Sequence, residues 1–270
     1  MSAVIVNGTT FHSEVAGQGP GLVFIHAGVA DSRMWDAEFA AFQDSFRVLR
    51  FDLRGFGRTP MPPGSFAYHD DVAGVMRASG LECATLVGCS FGANVAVDAC
   101  LAFPGLVERL VLIAPGLGAG SESEEVRRFD EAEEAALERG DLEGATELNL
   151  GLWVDGPFRK PDEVSAEARE RVREMQMGNF RVVMPKEIER VRLEPPAAER
   201  LSEIRIPTLV ALGALDVPFL AGVAERIGRE VPGSRLVVVP EAAHMLNLEK
   251  PEEFRRILSE FLSAPSSAEV

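Results

Sequence analysis

The residues most able to do chemistry lie in the run Gly88-Cys89-Ser90-Phe91-Gly92, between an apolar stretch and a helix-length one. A serine between glycines two positions away on either side, where a strand turns into a helix, is the pattern of a nucleophile elbow. The turn is so tight that a Cβ at either flank would clash, so glycine is required there. Such a turn lifts the Ser90 hydroxyl at the carboxyl end of a sheet. It also aims the Phe91 amide and the helix N-terminus at a developing negative charge. Cys89, the residue before the serine, points back toward the core and reads as packing.

A serine hydroxyl is a weak nucleophile and needs a base. Of the four histidines, only His244 follows Ser90 in the chain, directly after an apolar strand-like run. The imidazole in turn needs a carboxylate to fix its tautomer. Asp216, just past the run Thr208–Leu212, is the expected acid; Glu241 is a rival only if its loop folds back. For the oxyanion, Phe91 needs a second amide donor. The loop His26-Ala27-Gly28-Val29 offers Gly28, with His26 expected to brace the loop by hydrogen bonds. Val29, Trp153 and Val217 are expected to line the substrate pocket.

These positions need a scaffold, and the hydrophobic pattern supplies one. Eight strands are predicted: Val4–Val6, Phe11–Val15, Leu22–His26, Arg47–Asp52, Ala84–Cys89, Leu110–Ala114, Thr208–Leu212 and Arg235–Val239. Several are unbroken apolar blocks, as expected of parallel strands buried on both faces. Helical stretches alternate with them at Met34–Phe42, Asp71–Ser79, Phe91–Ala102, Ala221–Glu230 and Pro251–Leu262. The fold class is therefore α/β, a mostly parallel central sheet of about eight strands flanked by helices.

After the sixth strand the alternation stops. From 117 to 200 the chain is helical and amphipathic, and it holds half of the 42 acidic residues. This segment is read as a helical lid inserted into a core formed by 1–116 and 201–270. Its apolar residues Trp153, Phe158, Met175, Met177, Phe180 and Met184 call for dry surroundings, and Trp153 is the expected pocket wall. The last residues, Ser263–Val270, read as a frayed tail.

Bulk properties narrow the partners. A formal net charge of −15 opposes binding to nucleic acid and to anionic membranes. No apolar run reaches membrane-spanning length and no secretory leader is visible, so a cytoplasmic location is expected. Three cysteines without a CxxC pair predict buried free thiols in place of disulfides or zinc. No metal and no cofactor are expected, and a homo-oligomer is compatible with the sequence.

With these motifs together, the chain resembles the α/β-hydrolase superfamily of serine hydrolases over nearly its whole length. The family's His-Gly oxyanion loop corresponds to His26-Ala27-Gly28, with Trp35 on the next helix. Its Asp-x-Arg-Gly-x-Gly-x-Ser turn corresponds to Asp52-Leu53-Arg54-Gly55-Phe56-Gly57-Arg58-Thr59. The resemblance implies that these glycines are structural. It implies hydrolysis of a carboxylic ester through an acyl-enzyme, and the apolar residues of the covering segment narrow the expected ester to a small to medium, largely apolar one. Lactone hydrolysis, C–C bond cleavage and cofactor-free perhydrolysis use the same triad. A non-catalytic ligand receptor on the fold is the alternative of a different class.

Overall fold

The computed structural model describes residues 2–118 and 123–264. Of the expected tail Ser263–Val270, Ser263 instead ends the last helix and the residues from 265 lie outside the described ones, as does the stretch 119–122 at the start of the insertion.

Ten strands and nine α-helices occur among the described residues. In chain order they are β1 (Ser2–Val6), β2 (Thr9–Ala16), β3 (Gly21–Ile25), α1 (Asp36–Phe42), β4 (Arg47–Phe51), β5 (Gly64–Phe66), α2 (Tyr68–Ala78), β6 (Ala84–Cys89), α3 (Phe91–Ala102) and β7 (Val107–Ile113). Then follow α4 (Glu124–Glu138), α5 (Leu142–Leu150), α6 (Ala166–Asn179), β8 (Ile188–Arg190), β9 (Thr208–Gly213), α7 (Phe219–Glu230), β10 (Arg235–Val239), α8 (Leu246–Glu249) and α9 (Pro251–Ser263). The main sheet has eight strands in the order β1-β2-β4-β3-β6-β7-β9-β10. From β4 to β10 all neighbours are parallel; β2 runs antiparallel to both β1 and β4.

The interior strands are apolar for a physical reason. β3, β6 and β9 are buried at every position, because helices cover both faces of the sheet where they run. β10 reads in sequence like them, but it is an edge strand paired only with β9. Leu236 and Val238 are accordingly 38% and 51% exposed. Helices close the faces through one stripe each. α7 buries Leu220, Val223, Ala224 and Ile227, and α9 buries Phe254, Ile257, Leu258 and Phe261, both at helical spacing. Pro251 opens α9 at a position where a missing N–H costs nothing.

Trp35 falls in a 3₁₀ turn ahead of α1, fully buried and stacked on Phe24 at 4.9 Å between ring centroids. Cys89 and Cys100 are buried free thiols as expected, but Cys83 is half-exposed, with its Sγ 3.0 Å from Glu108.

Between β7 and β9 the chain forms α4, α5, a π-helical turn at Gly151–Asp155, and α6. Local capping starts these helices: Asp141 accepts from Gly144 N–H at 2.8 Å, and Ser165 accepts from Ala168 N–H. Ion pairs of Arg169 with Asp155 and of Arg173 with Glu147 tie α6 to the segment before it. Asn179 at the end of α6 joins the segment to the core. It donates to the Ala30 carbonyl at 3.0 Å and accepts from Gly57 N–H at 2.9 Å. Of the apolar residues expected to need cover, Met175 is fully buried, but Phe158 is 60% and Met184 54% exposed. β5 and β8 pair as a small parallel ribbon that joins this segment to the core. Three-residue strands are too short to show an alternation, so the sequence does not announce them.

Candidate active site

The elbow adopts the strained turn its glycines imply. Ser90 stands between β6 and α3 with φ 53° and ψ −113°, a conformation a side-chain-bearing residue holds only when its surroundings enforce it. Enforcement comes from Ser90 N–H, which donates to the Ile113 carbonyl of β7 at 2.8 Å. The two glycines are needed for close approach. A Cβ on Gly88 would lie 2.4 Å from the Gly92 carbonyl oxygen, and one on Gly92 would lie 2.3 Å from that of Ile25. Cys89 is fully buried, its thiol pushed up by burial and then by nearby Asp216, so it stays protonated.

His244 and Asp216 meet although 28 positions separate them. His244 Nδ1 is 2.9 Å from Asp216 Oδ2 and 3.2 Å from Oδ1, with both side chains 2% exposed. A carboxylate only accepts, so Nδ1 carries the proton and Nε2 is left as the basic nitrogen. The two loops are bound together by backbone: Ala214 N–H donates to Val239 and Leu215 N–H to Ala242. Val217 N–H donates to Asp216 Oδ1 at 2.7 Å, which fixes the carboxylate's rotation. Glu241, the rival acid, points away. Its side chain is 84% exposed beside Lys250.

A carboxylate the sequence does not reveal braces the histidine loop. Glu249 Oε1 accepts from Ala243 N–H at 2.9 Å, and its Oε2 pairs with Arg159 at 2.6 Å. Arg159 also donates to the Val154 and Asp155 carbonyls, so one guanidinium fastens the π-helical turn to the loop that carries His244. The partners stand 90 positions apart, and no local motif marks either.

The loop after β3 is organised by His26, as expected. Its Nδ1–H donates to the Ala27 carbonyl at 2.8 Å, and Nε2 accepts from Leu53 N–H at 2.9 Å. Burial lowers the His26 pKa, which keeps the ring neutral in this role. Ala27 N–H is engaged by Met34 Sδ at 3.2 Å, so it is not a free donor. Gly28 lies against the elbow; a Cβ there would sit 3.5 Å from Phe91 Cβ. Phe91 is the first residue of α3, where an amide has no acceptor within the helix. The Asp52–Thr59 turn is scaffold: buried Asp52 accepts from Ser32 and Arg58 N–H, and Arg54 forms a buried ion pair with Asp71.

Ser90 and His244 share a cavity of about 250 Å³, walled by Asn94, Val126, Trp153, Phe219 and Leu220. The Trp153 ring centroid is 4.7 Å from that of His244, and Phe129 packs edge-on against Trp153. Val29 and Val217 are absent from this wall. Both are buried in the core, and the residues that follow Val217 at the start of α7 take the place expected for it.

Comparison with known proteins agrees with the fold. The profile of the Alpha/beta hydrolase family matches residues 22–257, and the chain belongs to that family. The chain is similar to a Bacillus subtilis (strain 168) protein with the provisional name 2-succinyl-6-hydroxy-2,4-cyclohexadiene-1-carboxylate synthase. The two are 26% identical over 265 residues, covering 93% of this chain and 94% of that protein. The same organism's carboxylesterase YbfK is 26% identical over 258 residues, covering 90% and 80% respectively. Among solved structures, a hydrolase from Pseudomonas aeruginosa PA01 superposes with a TM-score of 0.78 at 29% identity, covering 97% of this chain and 98% of that one. No helix among the described residues is long and apolar enough to cross a membrane.

Proposed function

We propose that this hydrolase cleaves a small to medium carboxylic ester through an acyl-enzyme on Ser90. Ser90 Oγ attacks the carbonyl carbon while His244 Nε2 takes its proton. The Phe91 and Gly28 amides receive the negative charge on the oxygen, and the proton passes from His244 to the leaving alcohol. Water then enters, gives a proton to His244, and attacks the acyl carbon; Ser90 leaves with that proton restored. Asp216 holds the imidazole in the tautomer both halves need and stabilises it when charged. The steps use no cofactor.

The observation that carries this reading is the hydrogen bond of His244 Nδ1 to a buried Asp216, on a histidine that shares a cavity with a strained serine. A carboxylesterase among the relatives supports the ester. The segment between β7 and β9 is the lid of this reading, because Trp153 closes the cavity over His244.

Ser90→Ala tests it with p-nitrophenyl butyrate. The substitution leaves the turn intact and should cost ~10³-fold or more in kcat, within the range of triad knockouts. Retention of more than a tenth of the wild-type rate would overturn the mechanism.

A further inference from the structure

Beside the catalytic cavity lies a second one of about 470 Å³, and the two share Asn94 and Gly118 in their walls. Its wall begins at Phe91, the proposed oxyanion donor, and carries Arg190 and Arg192. Elsewhere in the segment between β7 and β9, Arg159, Arg169, Arg171 and Arg173 are each tied to a carboxylate. Arg190 and Arg192 have no such partner among the described residues.

Arg190 is nevertheless held in place. Its guanidinium lies over the Tyr68 ring at 5.0 Å and the Phe91 ring at 5.1 Å. Rings fix a guanidinium through its faces and leave the N–H edge, whose fork geometry matches a carboxylate. Burial pulls the Arg190 pKa below its ordinary value; Arg192 adds to this, while Tyr68 and Asp98 oppose it in part, and an anion in the cavity would offset the remaining cost. Asn94 stands between the two cavities: its Oδ1 accepts from Leu117 N–H at 2.9 Å, and its Nδ2 amide has no acceptor among the described residues. Two acids share the wall. Asp98 is half-buried and its pKa is raised by burial, and Glu194 is exposed. Neither comes within ion-pairing distance of the arginines.

We propose that this cavity binds a carboxylate borne by the substrate, at Arg190 and Arg192, so that the substrate is a monoanionic ester whose uncharged carbonyl end reaches Ser90. The proposal rests on acyl transfer at Ser90 and names the other end of the molecule. It departs from the sequence-based expectation of a largely apolar substrate only beyond Asn94. The smaller cavity around Trp153 keeps its apolar wall.

Three p-nitrophenyl esters of similar size test it: the neutral valerate, the anionic monoester of glutarate and a cationic 4-(trimethylammonio)butyrate. The anionic ester should exceed the neutral one in kcat/KM by ~10-fold or more, chiefly through KM, since one charge-assisted contact is worth about that factor. That ratio should fall toward one in Arg190→Gln/Arg192→Gln and in Arg192→Gln alone, whose side chain is exposed and supports no packing. Arg190→Lys should keep part of it. Binding of glutarate itself, followed calorimetrically, should weaken in the same order and needs no turnover. Loss of all ester cleavage with glutarate binding intact would strike the acyl-transfer reading and leave the subsite standing. A neutral or cationic preference in the wild type, an unchanged ratio in the variants, or no glutarate binding would overturn the subsite.

Discussion

At the scale of single residues, the triad candidates divide by how local their signals are. Ser90 is legible because its glycines are required by contacts within four positions and by the neighbouring strand. His244 and Asp216 are legible only through chain order and strand ends, since nothing local ties one to the other. The choice between Asp216 and Glu241 is a matter of direction, which sequence does not carry. The structure places Asp216 on Nδ1 and leaves Glu241 in solvent. Asp216→Asn keeps the shape but favours the wrong tautomer, and the expected loss in kcat is on the order of 10⁴-fold, as in the best-studied triad. Glu241→Gln should change kcat less than about twofold, because surface charges in solvent contribute little. Steady-state kinetics on the pair checks the assignment; a greater loss from Glu241→Gln would transfer the role. Glu249 and Arg159 escape a sequence reading altogether, since each binds backbone and charge far off in the chain.

At the scale of elements, the strands and helices of the sheet follow from periodicity, while the π-helical turn does not. It carries Trp153 to within ring contact of His244, and a residue outside ordinary helical register has no sequence signature. Trp153→Ala should shift the optimum acyl length of p-nitrophenyl esters upward while activity persists. An unchanged chain-length profile would remove Trp153 from the wall.

A second element-level consequence lies between α1 and α8. Glu38 is fully buried, with Oε1 lacking a partner and Oε2 3.4 Å from Asn247 Nδ2. Burial pushes its pKa up to about 7, against an ordinary value of 4.5, and the bond from Asn247 only partly opposes this. Folding therefore favours the protonated acid. The group's stabilising contribution is complete below pH ~4.5 and lost as pH rises through about 7, a difference on the order of 3 kcal/mol. Glu38→Gln should match the wild type near pH 5 and exceed it in urea midpoint at pH 8. Equal midpoints at pH 8 would show that the carboxylate is not strained.

At the scale of the whole molecule, the acidic surplus and the site are separated. Half of the 42 carboxylates lie between 117 and 200, several of them in exposed ion pairs such as Glu124 with Arg127 and Glu147 with Arg173. The cavity that Ser90 and His244 share is walled by Val126, Trp153, Phe219 and Leu220. Net charge thus reports on the surface and says little about the pocket; in the wall of the neighbouring cavity Arg190 and Arg192 stand against Asp98 and Glu194, with no acidic surplus. Parallel strands in this order bring the carboxyl ends of β6, β9 and β10 to one rim, and Ser90, Asp216 and His244 each follow one of those ends. That convergence is a property of the assembled sheet, yet positions just past strand ends can be anticipated from the alternation of elements, which is why the candidate triad is more legible in the sequence than its braces. The most direct measurement is the site of a covalent adduct. Incubation with a fluorophosphonate at pH 8, followed by intact mass and peptide mapping, should give one phosphonyl group per chain, on Ser90, and none in His244→Ala within the same time. Absence of an adduct on the wild type, or an adduct on any serine other than Ser90, would contradict the account.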